Sequence, residues 1–419
     1  MLRKNISLII ITVVVLFGLI FIIKKYRGFE FLTRISSDFY AMYQLPNIPN
    51  YDDKIIELPF YAKKLNDEDI LDIISKNDSL LFSQRLVMGL NNYYSIDYIL
   101  FRLFNNPMDI SLTSIGVTLL ERFSNKLKYG IGGVSISYTA LASIDSISQF
   151  NSLITQLDSI LVVKRKYNFI DSQITIDILP SYYCDYNIFN IGLNAQKINS
   201  LKNRFSTNLD SNIYFMKLDG LFGPNLDYSD YIMKEKVSII KKSNYLEHHS
   251  FQLFAKHFGY RSDYRFSIDG IYPDPHHTTV YQKTPLSNFI NEDLKLLDSF
   301  INQTKHSGIM VGHHILEAID DKIIASASEK VQIFIDERYK RKLLTISDSI
   351  NMYGFAINYN DNISLYDYIK TDLVLLTDIY GYDLLSLTQN GVKEKSFTYQ
   401  KLLKHKFANG KISIKRRGL

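Results

Sequence analysis

The chain has 419 residues, of which 46% are hydrophobic and 22% are charged, and its formal net charge is +5 at pH 7. These values are ordinary for globular proteins and exclude a largely disordered chain. A single cysteine, Cys184, excludes a disulfide framework and a cysteine-ligated zinc site within one chain.

The N-terminal stretch 6–23 is apolar apart from Ser7, Thr12 and Gly18. A helix of this length rises about 27 Å, enough to cross the hydrocarbon core of a bilayer. No small-residue cleavage site follows, so we predict an uncleaved membrane anchor over residues 1–24. An atypical cleaved signal and a buried helix are the alternatives. Basic residues flank both ends of the stretch, so the positive-inside rule does not fix its orientation.

Three further regions follow the predicted anchor. Residues 25–64, with Pro46 and Pro49 among polar and aromatic residues, predict a stalk. Residues 65–410 predict the folded domain, and residues 411–419, rich in Lys and Arg, predict a basic tail. Such a tail is compatible with contact to anionic lipid or nucleic acid, but a solvated, frayed terminus is favoured. Nucleic acid is therefore not an expected partner.

The domain region alternates helical patterns with short apolar runs. The segment 66–69, Asn-Asp-Glu-Asp, predicts a helix start, because Asn caps helices and acidic residues favour the first turn. The apolar runs predict strands over residues 85–90, 132–137, 174–178, 213–218, 251–255, 308–311, 343–346 and 372–376. Apolar strands that alternate with helices indicate a parallel sheet covered on both faces. We therefore predict an α/β fold, a single (β/α)8 barrel of the TIM type preceded by one transmembrane helix. A doubly wound open sheet is the structural alternative.

Some classes of ligand have no sequence support. No glycine-rich phosphate loop of standard spacing occurs, which weighs against nucleotide binding. His248 and His249 lack a third partner at metal-ligand spacing. No cofactor and no metal site are predicted.

Polar residues follow three consecutive predicted strands. Lys256 and His257 follow the fifth strand, His313 ends the sixth and Asp348 ends the seventh. The loop after the fifth strand contains Asp274-Pro275-His276. In a parallel barrel the strand ends share one rim, where functional residues lie, so we expect these side chains to meet there. Taken alone, each residue has a simpler interpretation, such as an ordinary loop, a core histidine or a helix N-cap at Asp348.

The ordered set of motifs resembles glycoside hydrolase family 3, in particular its β-N-acetylglucosaminidase (β-hexosaminidase) branch. That family has a Lys-His pair, an Asp-x-His triplet, a Met-x-x-His strand and a Ser/Thr-Asp-x-x-x-Met segment, in this order. The corresponding segments here are Lys256-His257, Asp274-Pro275-His276, Met310-Val311-Gly312-His313 and Ser347-Asp348-Ser349-Ile350-Asn351-Met352. Weaker similarity extends over most of residues 66–410, and residues 138–250 match poorly.

The resemblance implies a retaining glycosidase that forms a covalent glycosyl-enzyme. Asp348 would be the nucleophile, and His276, paired with Asp274, would be the general acid/base. An imidazole titrates near physiological pH, so it can protonate a leaving oxygen and then deprotonate water. A neighbouring aspartate orients the ring and stabilises its cationic form.

The resemblance also implies a sugar-binding set. Lys256 and His257 would bind sugar hydroxyls, Asp177 lies where the family has a sugar-binding aspartate, and His313 completes the set. The chain departs from the family around this set. Gly259-Tyr260-Arg261-Ser262 replaces the usual Pro-Gly-His-Gly, and a glycine pair and an arginine are missing after Asp177.

These features predict a single-pass membrane protein that hydrolyses terminal β-linked N-acetylhexosamine in a peptidoglycan- or chitin-type glycan. The expected partners are this carbohydrate and, through residues 6–23, the membrane. The domain is expected on the outer (periplasmic or extracytoplasmic) side, with the cytoplasmic side as the alternative. The altered binding set leaves two other functions open, a non-catalytic glycan-binding or envelope scaffold and a hydrolase for a different sugar.

Overall fold

The described part of the chain belongs to one compact unit, which spans Asn50–Asp378 and Tyr382–Leu419. The computed structural model describes residues 55–61, 66–70, 83–90, 117, 120–121, 124, 130–136, 147–169, 172–187, 251–259, 265–267, 275, 278–303, 307–340, 343–350, 352–359, 365–376 and 396–418. The predicted anchor over residues 6–23 lies outside them. Of the helices within these ranges, none has the length and apolar character needed to cross a bilayer.

Fourteen strands are described, numbered here in chain order. They are β1 Ile55–Tyr61, β2 Leu86–Leu90, β3 Gly133–Ile136, β4 Val163–Phe169, β5 Ser172–Ile178, β6 Ser181–Asn187, β7 Phe251–Lys256, β8 Arg265–Ser267, β9 Val280–Gln282, β10 Ser307–Val311, β11 His314–Leu316, β12 Leu344–Ser349, β13 Leu373–Leu376 and β14 Ile412–Gly418.

Helices lie between several of these strands. They are α1 Ile147–Leu161, α2 Leu286–Asn288, α3 Leu294–Gln303, α4 Glu329–Arg338, α5 Tyr353–Ala356, α6 Leu365–Tyr368 and α7 Ser396–Ala408. A π-helical turn, Phe289–Asp293, joins α2 to α3, and a 3-10 turn, Ala325–Ala327, precedes α4.

Seven of the described strands form a closed parallel barrel in the order β2-β3-β6-β7-β10-β12-β13, and β13 pairs with β2 to complete it. The predicted α/β barrel is therefore present, but the described part contains seven barrel strands rather than eight. The predicted strand 174–178 is β5, which lies in another sheet, and the third barrel strand is β6. The predicted strand 213–218 lies outside the described residues.

The barrel interior is filled by alternate residues of its strands, as the pleat requires. One buried cluster joins residues of six barrel strands with a residue of α7: Val87, Tyr183, Phe254, Met310, Leu344, Ile346, Leu373, Leu375 and Leu402. Leu344 and Ile346 are two apart on β12, and Asp348 follows after an irregularity in the strand pairing between Ile346 and Ser349. Strand β12 therefore contributes two side chains to the hydrophobic core and carries a carboxylate, Asp348, near its carboxyl end.

A second, four-stranded sheet has the order β1-β4-β5-β14. Two domain boundaries predicted from the sequence are corrected by it. Strand β1 lies within the predicted stalk, but it pairs in parallel with β4. The predicted basic tail is strand β14, which pairs antiparallel with β5 from Ile412–Ile178 to Gly418–Ser172. Ile412 and Ile414 alternate with polar residues, a strand pattern that explains why this segment is not a frayed terminus.

The predicted helix start at Asn66 is confirmed. The Asp69 amide donates to Asn66 Oδ1 at 2.8 Å, and the Asn66 amide donates to Asp69 Oδ2 at 3.1 Å. This reciprocal pair satisfies two backbone donors at the helix N-terminus, as a capping box does.

The amino-terminal end of the barrel carries a buried lysine. Lys406, on α7, donates from Nζ to Gln84 Oε1 at 2.6 Å, the Gly132 carbonyl at 2.6 Å and the Leu179 carbonyl at 3.1 Å. These three oxygens match the three N–H donors of an ammonium group. Burial and, to a smaller extent, the nearby Lys411 charge lower the pKa of Lys406 to about 7. Lys406 thus ties α7 to the residues that precede β2, β3 and β6.

We expect Lys406→Met to lower the free energy of unfolding by about 3 kcal/mol, because three buried oxygens would each lose one hydrogen bond, and the Gly132 carbonyl would keep a second donor, the Ser181 amide. Urea unfolding at pH 7 measures this difference. Lys404→Met is the matched control, because Lys404 lies on the same helix and is exposed. Equal midpoints for the two variants would contradict the role of Lys406 as a link between α7 and the barrel.

Candidate active site

Asp348 lies at the carboxyl end of β12, and its side chain is 15% exposed. The Ser349 amide donates to Asp348 Oδ1 at 2.7 Å. Its other oxygen, Oδ2, lies 3.0 Å from His257 Nε2. Both carboxylate oxygens therefore have a protein donor.

His257 reaches Asp348 from the end of β7, across the intervening strand β10. The peptide bond between Lys256 and His257 is cis. Phe258, the next residue, is held in place. Its amide donates to the Met310 carbonyl at 2.9 Å, and the Phe258 ring is buried edge-on against Phe289. His257 is 21% exposed and Lys256 is half-buried, so both residues lie at the opening of the barrel.

His313 is fully buried beneath this opening. Its Nε2 lies 2.9 Å from the Ser349 carbonyl, and its Nδ1 lies 2.8 Å from Ser326 Oγ. A carbonyl can only accept, so Nε2 carries the proton, and the Ser326 hydroxyl donates to Nδ1. Both ring nitrogens are thus used by the protein, which contradicts the prediction that His313 binds a sugar. His313 instead holds the backbone next to Asp348.

Burial also determines the protonation of His313 and its neighbour. Desolvation lowers the pKa of His313 to about 4, against the opposing effect of Asp348. Desolvation, together with the nearby imidazoles of His257 and His313, lowers the pKa of His314 to about 3. Both side chains are therefore neutral at pH 7.

The loop that contains the Asp-x-His triplet is attached at two points beside Asp348. The Gly354 amide, on α5, donates to the Pro275 carbonyl at 2.7 Å. Asn358 Nδ2 donates to Thr279 Oγ1 at 3.0 Å and to the Gly354 carbonyl at 2.7 Å. Asp274 and His276 lie outside the described residues, and Pro275 is the member of the triplet that the structure describes.

The chain after Thr279 is also held by strand pairing. It forms β9, which pairs in parallel with β11, with Val280 opposite His314. Gly354 has no room for a side chain, because an added Cβ would lie 2.6 Å from the Pro275 carbonyl oxygen and 3.0 Å from that of Thr278. The close approach of α5 to the loop therefore depends on a glycine, which the sequence motif did not reveal.

Asp177 does not lie at the rim, contrary to prediction. It is on β5, in the four-stranded sheet, where its Oδ2 lies 2.5 Å from Lys415 Nζ. The chain continues from Asp177 to the amino-terminal end of β6, the opposite end of the barrel from Asp348. An aspartate does occur on β6 itself, Asp185, whose backbone pairs with Phe254. The run Ser181–Asn187, rich in tyrosine, is typical of a strand and was the signal for it.

The described residues therefore bring His257 and Asp348 into contact at the opening, where Lys256 ends β7, and His313 lies buried beneath the pair. The residues that sequence reasoning missed are Ser326 and Gly354, which act through other groups. Among the described residues, no group of three or more His, Cys, Asp or Glu side chains is arranged to hold a metal ion. The arrangement presents an oriented, partly exposed carboxylate to whatever enters the barrel mouth.

Three solved structures resemble this chain. The structure of M tuberculosis LpqI is 13% identical, with 83% of this chain and 96% of that chain covered and a TM-score of 0.46. A glycoside hydrolase family 3 β-N-acetylglucosaminidase from Paenibacillus sp. str. FPU-7 is 14% identical, with coverages of 80% and 62% and a TM-score of 0.46. The β-glucoside phosphorylase BglX bound to 2FGlc is 10% identical, with coverages of 83% and 62% and a TM-score of 0.49.

The chain thus spans less than two thirds of the length of the second and third of these proteins. By sequence, no protein-family model and no characterised protein matches it.

The buried histidines predict how stability depends on pH. An unfolded histidine binds a proton below about pH 6.5, whereas His313 in the folded protein does so only near pH 4. The unfolded chain therefore binds more protons in this window, and stability falls as the pH decreases from about 6.5 to 4.

We expect His313→Gln to reduce this slope by on the order of 1.4 kcal/mol per pH unit, the contribution of one proton. Urea unfolding of both proteins between pH 4.5 and 8 measures it. Above pH 7 the two slopes should be equal, which serves as the internal control. An unchanged slope below pH 6 would mean that His313 is protonated in the folded protein.

Proposed function

We propose that this protein is a retaining glycoside hydrolase of the family 3 type that removes terminal β-linked N-acetylhexosamine from a glycan. The observation that carries the proposal is the 3.0 Å contact between His257 Nε2 and Asp348 Oδ2 at the carboxyl rim of a closed parallel barrel. Active sites of such barrels lie at this rim. The order of motifs that resembles the family supports the assignment of roles.

In the proposed first step, Asp348 attacks the anomeric carbon and forms a covalent ester while the glycosidic bond breaks. His276, in its protonated form, gives its proton to the leaving oxygen. In the second step His276 takes a proton from water, whose oxygen attacks the anomeric carbon and releases the Asp348 carboxylate. Asp274 would stabilise the imidazolium form of His276.

His257 and the Ser349 amide have a defined part in this proposal. Each donates to a different oxygen of Asp348, so together they fix the plane of the carboxylate. A fixed nucleophile needs no reorientation before it attacks, which lowers the entropic barrier. His313 fixes the same backbone from below through the Ser349 carbonyl. Lys256, on the inward-facing side of β7, would bind a sugar hydroxyl.

The finer assignments also belong to this proposal. An amino sugar of a peptidoglycan- or chitin-type glycan is the proposed substrate, because the resemblance is to the β-N-acetylglucosaminidase branch. The apolar stretch 6–23 would anchor the chain as a single-pass membrane protein, with the domain on the outer side, where cell-wall glycan lies. Protease accessibility of the domain in intact cells distinguishes this side from the cytoplasmic one.

One rival function has specific support, a non-catalytic glycan-binding protein with the same fold. Two of the predicted sugar-binding residues, Asp177 and His313, do not reach the opening. A binding set that has lost members is what a non-catalytic descendant would show. A hydrolase for a different sugar follows from the same observation and would be found with a panel of aryl glycosides.

We expect the full-length chain in detergent to release aryl alcohol from an aryl β-N-acetylglucosaminide. Asp348→Ala and His276→Ala should each lower kcat by at least about 10³-fold, because each removes a group that reacts. Lys330→Ala, an exposed residue on α4, is the control. A 2-fluoro sugar with a good leaving group should add its mass to the peptide that contains Asp348. Activity that survives in Asp348→Ala would remove the mechanism, and absence of the adduct in an inactive protein would favour the binding protein.

Gly354→Ala should lower kcat/KM about 10- to 100-fold, because its methyl group would push away the Pro275 carbonyl and the loop that contains His276. Ala356→Ser is the matched control, since it adds one atom to an exposed position of the same short helix. The acid/base limb of the pH–rate profile should be lost, whereas the free energy of unfolding should change less. Full activity of Gly354→Ala would show that the position of this loop does not control the reaction.

A further inference from the structure

The four-stranded sheet has an apolar face and a polar face. On β5, buried and partly exposed residues alternate strictly from Gln173 to Ile178. Val163 on β4 and Ile412 on β14 both pair with Ile178, and all three residues are buried. Because successive residues of a strand point to opposite faces, one face of the sheet packs into the protein, and the other carries the partly exposed residues of β5.

The strand register places basic residues from two distant segments of the sequence on the polar face. Residues that are opposite each other in neighbouring strands lie on the same face. In the order β4, β5 and β14, the rows of this face are Lys164, Asp177 and Ser413; Lys166, Thr175 and Lys415; and Asn168, Gln173 and Arg417. We call these positions the basic face, because its Lys and Arg residues outnumber its one acid. A further acid, Glu57 on β1, lies opposite Lys166 at the border of the face.

The basic face keeps a positive charge at its surface. The Lys415 side chain is 62% exposed, and Lys164 is also exposed. Asp177 lies opposite Lys164, and its Oδ2 is 2.5 Å from Lys415 Nζ, although its side chain is only 14% exposed. A single carboxylate beside two exposed ammonium groups leaves one positive charge uncompensated, so this part of the sheet attracts anions.

The sheet joins the barrel at the end opposite Asp348. Strand β5 is followed closely by β6, whose first residue, Ser181, lies at the amino-terminal end of the barrel. The Leu179 amide donates to the Lys411 carbonyl at 2.8 Å, which connects the chain after β5 to the chain before β14. The basic face is therefore separate from the candidate active site.

We propose that the basic face docks on the anionic phospholipid headgroups of the membrane in which residues 6–23 would be anchored. This inference rests on the anchor that forms part of the proposed function, and it does not depend on hydrolysis. Strand β1, an edge strand of the same sheet, is the first described strand, and residues 24–54 separate it from the apolar stretch. The anchor is thus tethered to the domain at the sheet that carries the basic face.

The arrangement of the charges suits a surface better than a single ion. Strands β4 and β14 are two strand spacings apart, about 10 Å, so the basic residues of the two strands contact different headgroups. Lysine and arginine near a membrane are attracted to anionic lipids, and this attraction falls off within a Debye length. Docking at this end of the barrel would leave the carboxyl rim accessible to a glycan.

The test uses the full-length chain in nanodiscs of phosphatidylcholine alone and in nanodiscs with about one phosphatidylglycerol in three lipids. Mass spectrometry of the peptides measures the rate at which a limiting reagent acetylates each lysine. We expect Lys164 and Lys415 to react about fivefold more slowly in the anionic discs, because headgroups cover them and hold their protons. About 1 M salt should remove the difference. Lys283 and Lys330, whose side chains are 52% and 65% exposed outside this sheet, are the matched controls and should react equally in both discs.

Equal acetylation rates of Lys164 and Lys415 in the two kinds of disc would overturn the docking, and co-elution of the chain with both discs would then leave the anchor intact. A chain that co-elutes with neither disc would overturn both. Slower acetylation of the two lysines with soluble heparin but not with anionic discs would overturn the membrane as the partner and favour an anionic polymer.

Co-elution with the anionic discs alone would overturn the anchor and leave the docking to a pair of double variants. Loss of co-elution in Lys164→Gln with Lys415→Gln, but not in Lys283→Gln with Lys330→Gln, would support the docking. Equal co-elution of the two double variants would overturn it.

Discussion

The contact between His257 and Asp348 is the interaction on which the candidate site depends. The two residues are far apart in sequence and meet because β7 and β12 both pair in parallel with β10. A partly buried pair of this kind is a poor source of stability, because desolvation of the two groups offsets most of their attraction. Its position at the carboxyl rim, with one donor on each oxygen of Asp348, is better explained by the need for an oriented carboxylate. Parallel pairing of three strands is thus the constraint that creates the site.

The surroundings of Asp348 are arranged to prevent movement rather than to supply further reactive groups. His313 uses both ring nitrogens to join Ser326 to the backbone after Asp348, and its neutral form at pH 7 is the form that can accept from the serine. Gly354 allows a backbone hydrogen bond to Pro275 that any larger residue would prevent. Such supporting contacts determine geometry, on which catalysis depends steeply.

The sequence was sufficient to predict the barrel and the meeting of His257 and Asp348, because short apolar strands with polar residues at their ends are easily recognised. It was not sufficient for the third barrel strand. Strands β5 and β6 are adjacent in the chain and both follow a strand pattern, so only the pairing of β5 with β4 and β14 shows which one lies outside the barrel. A sequence pattern also cannot show whether both ring nitrogens of His313 are hydrogen-bonded. One of its partners, Ser326, is brought beside it only by folding.

The described charged groups differ in burial between the two ends of the barrel. Those at the amino-terminal end stabilise the fold, and those at the carboxyl end form the candidate site. At the amino-terminal end, Lys406 gives its three donors to three buried oxygens, and Asp372 accepts from Lys401 at 2.7 Å and from the Thr345 amide at 2.8 Å. These groups are buried and hydrogen-bonded within the protein. At the carboxyl end, the side chains of Asp348 and His257 are 15% and 21% exposed, so solvent reaches this pair. Among the described residues, the partly exposed charged pair thus lies at the rim where the active sites of such barrels are found.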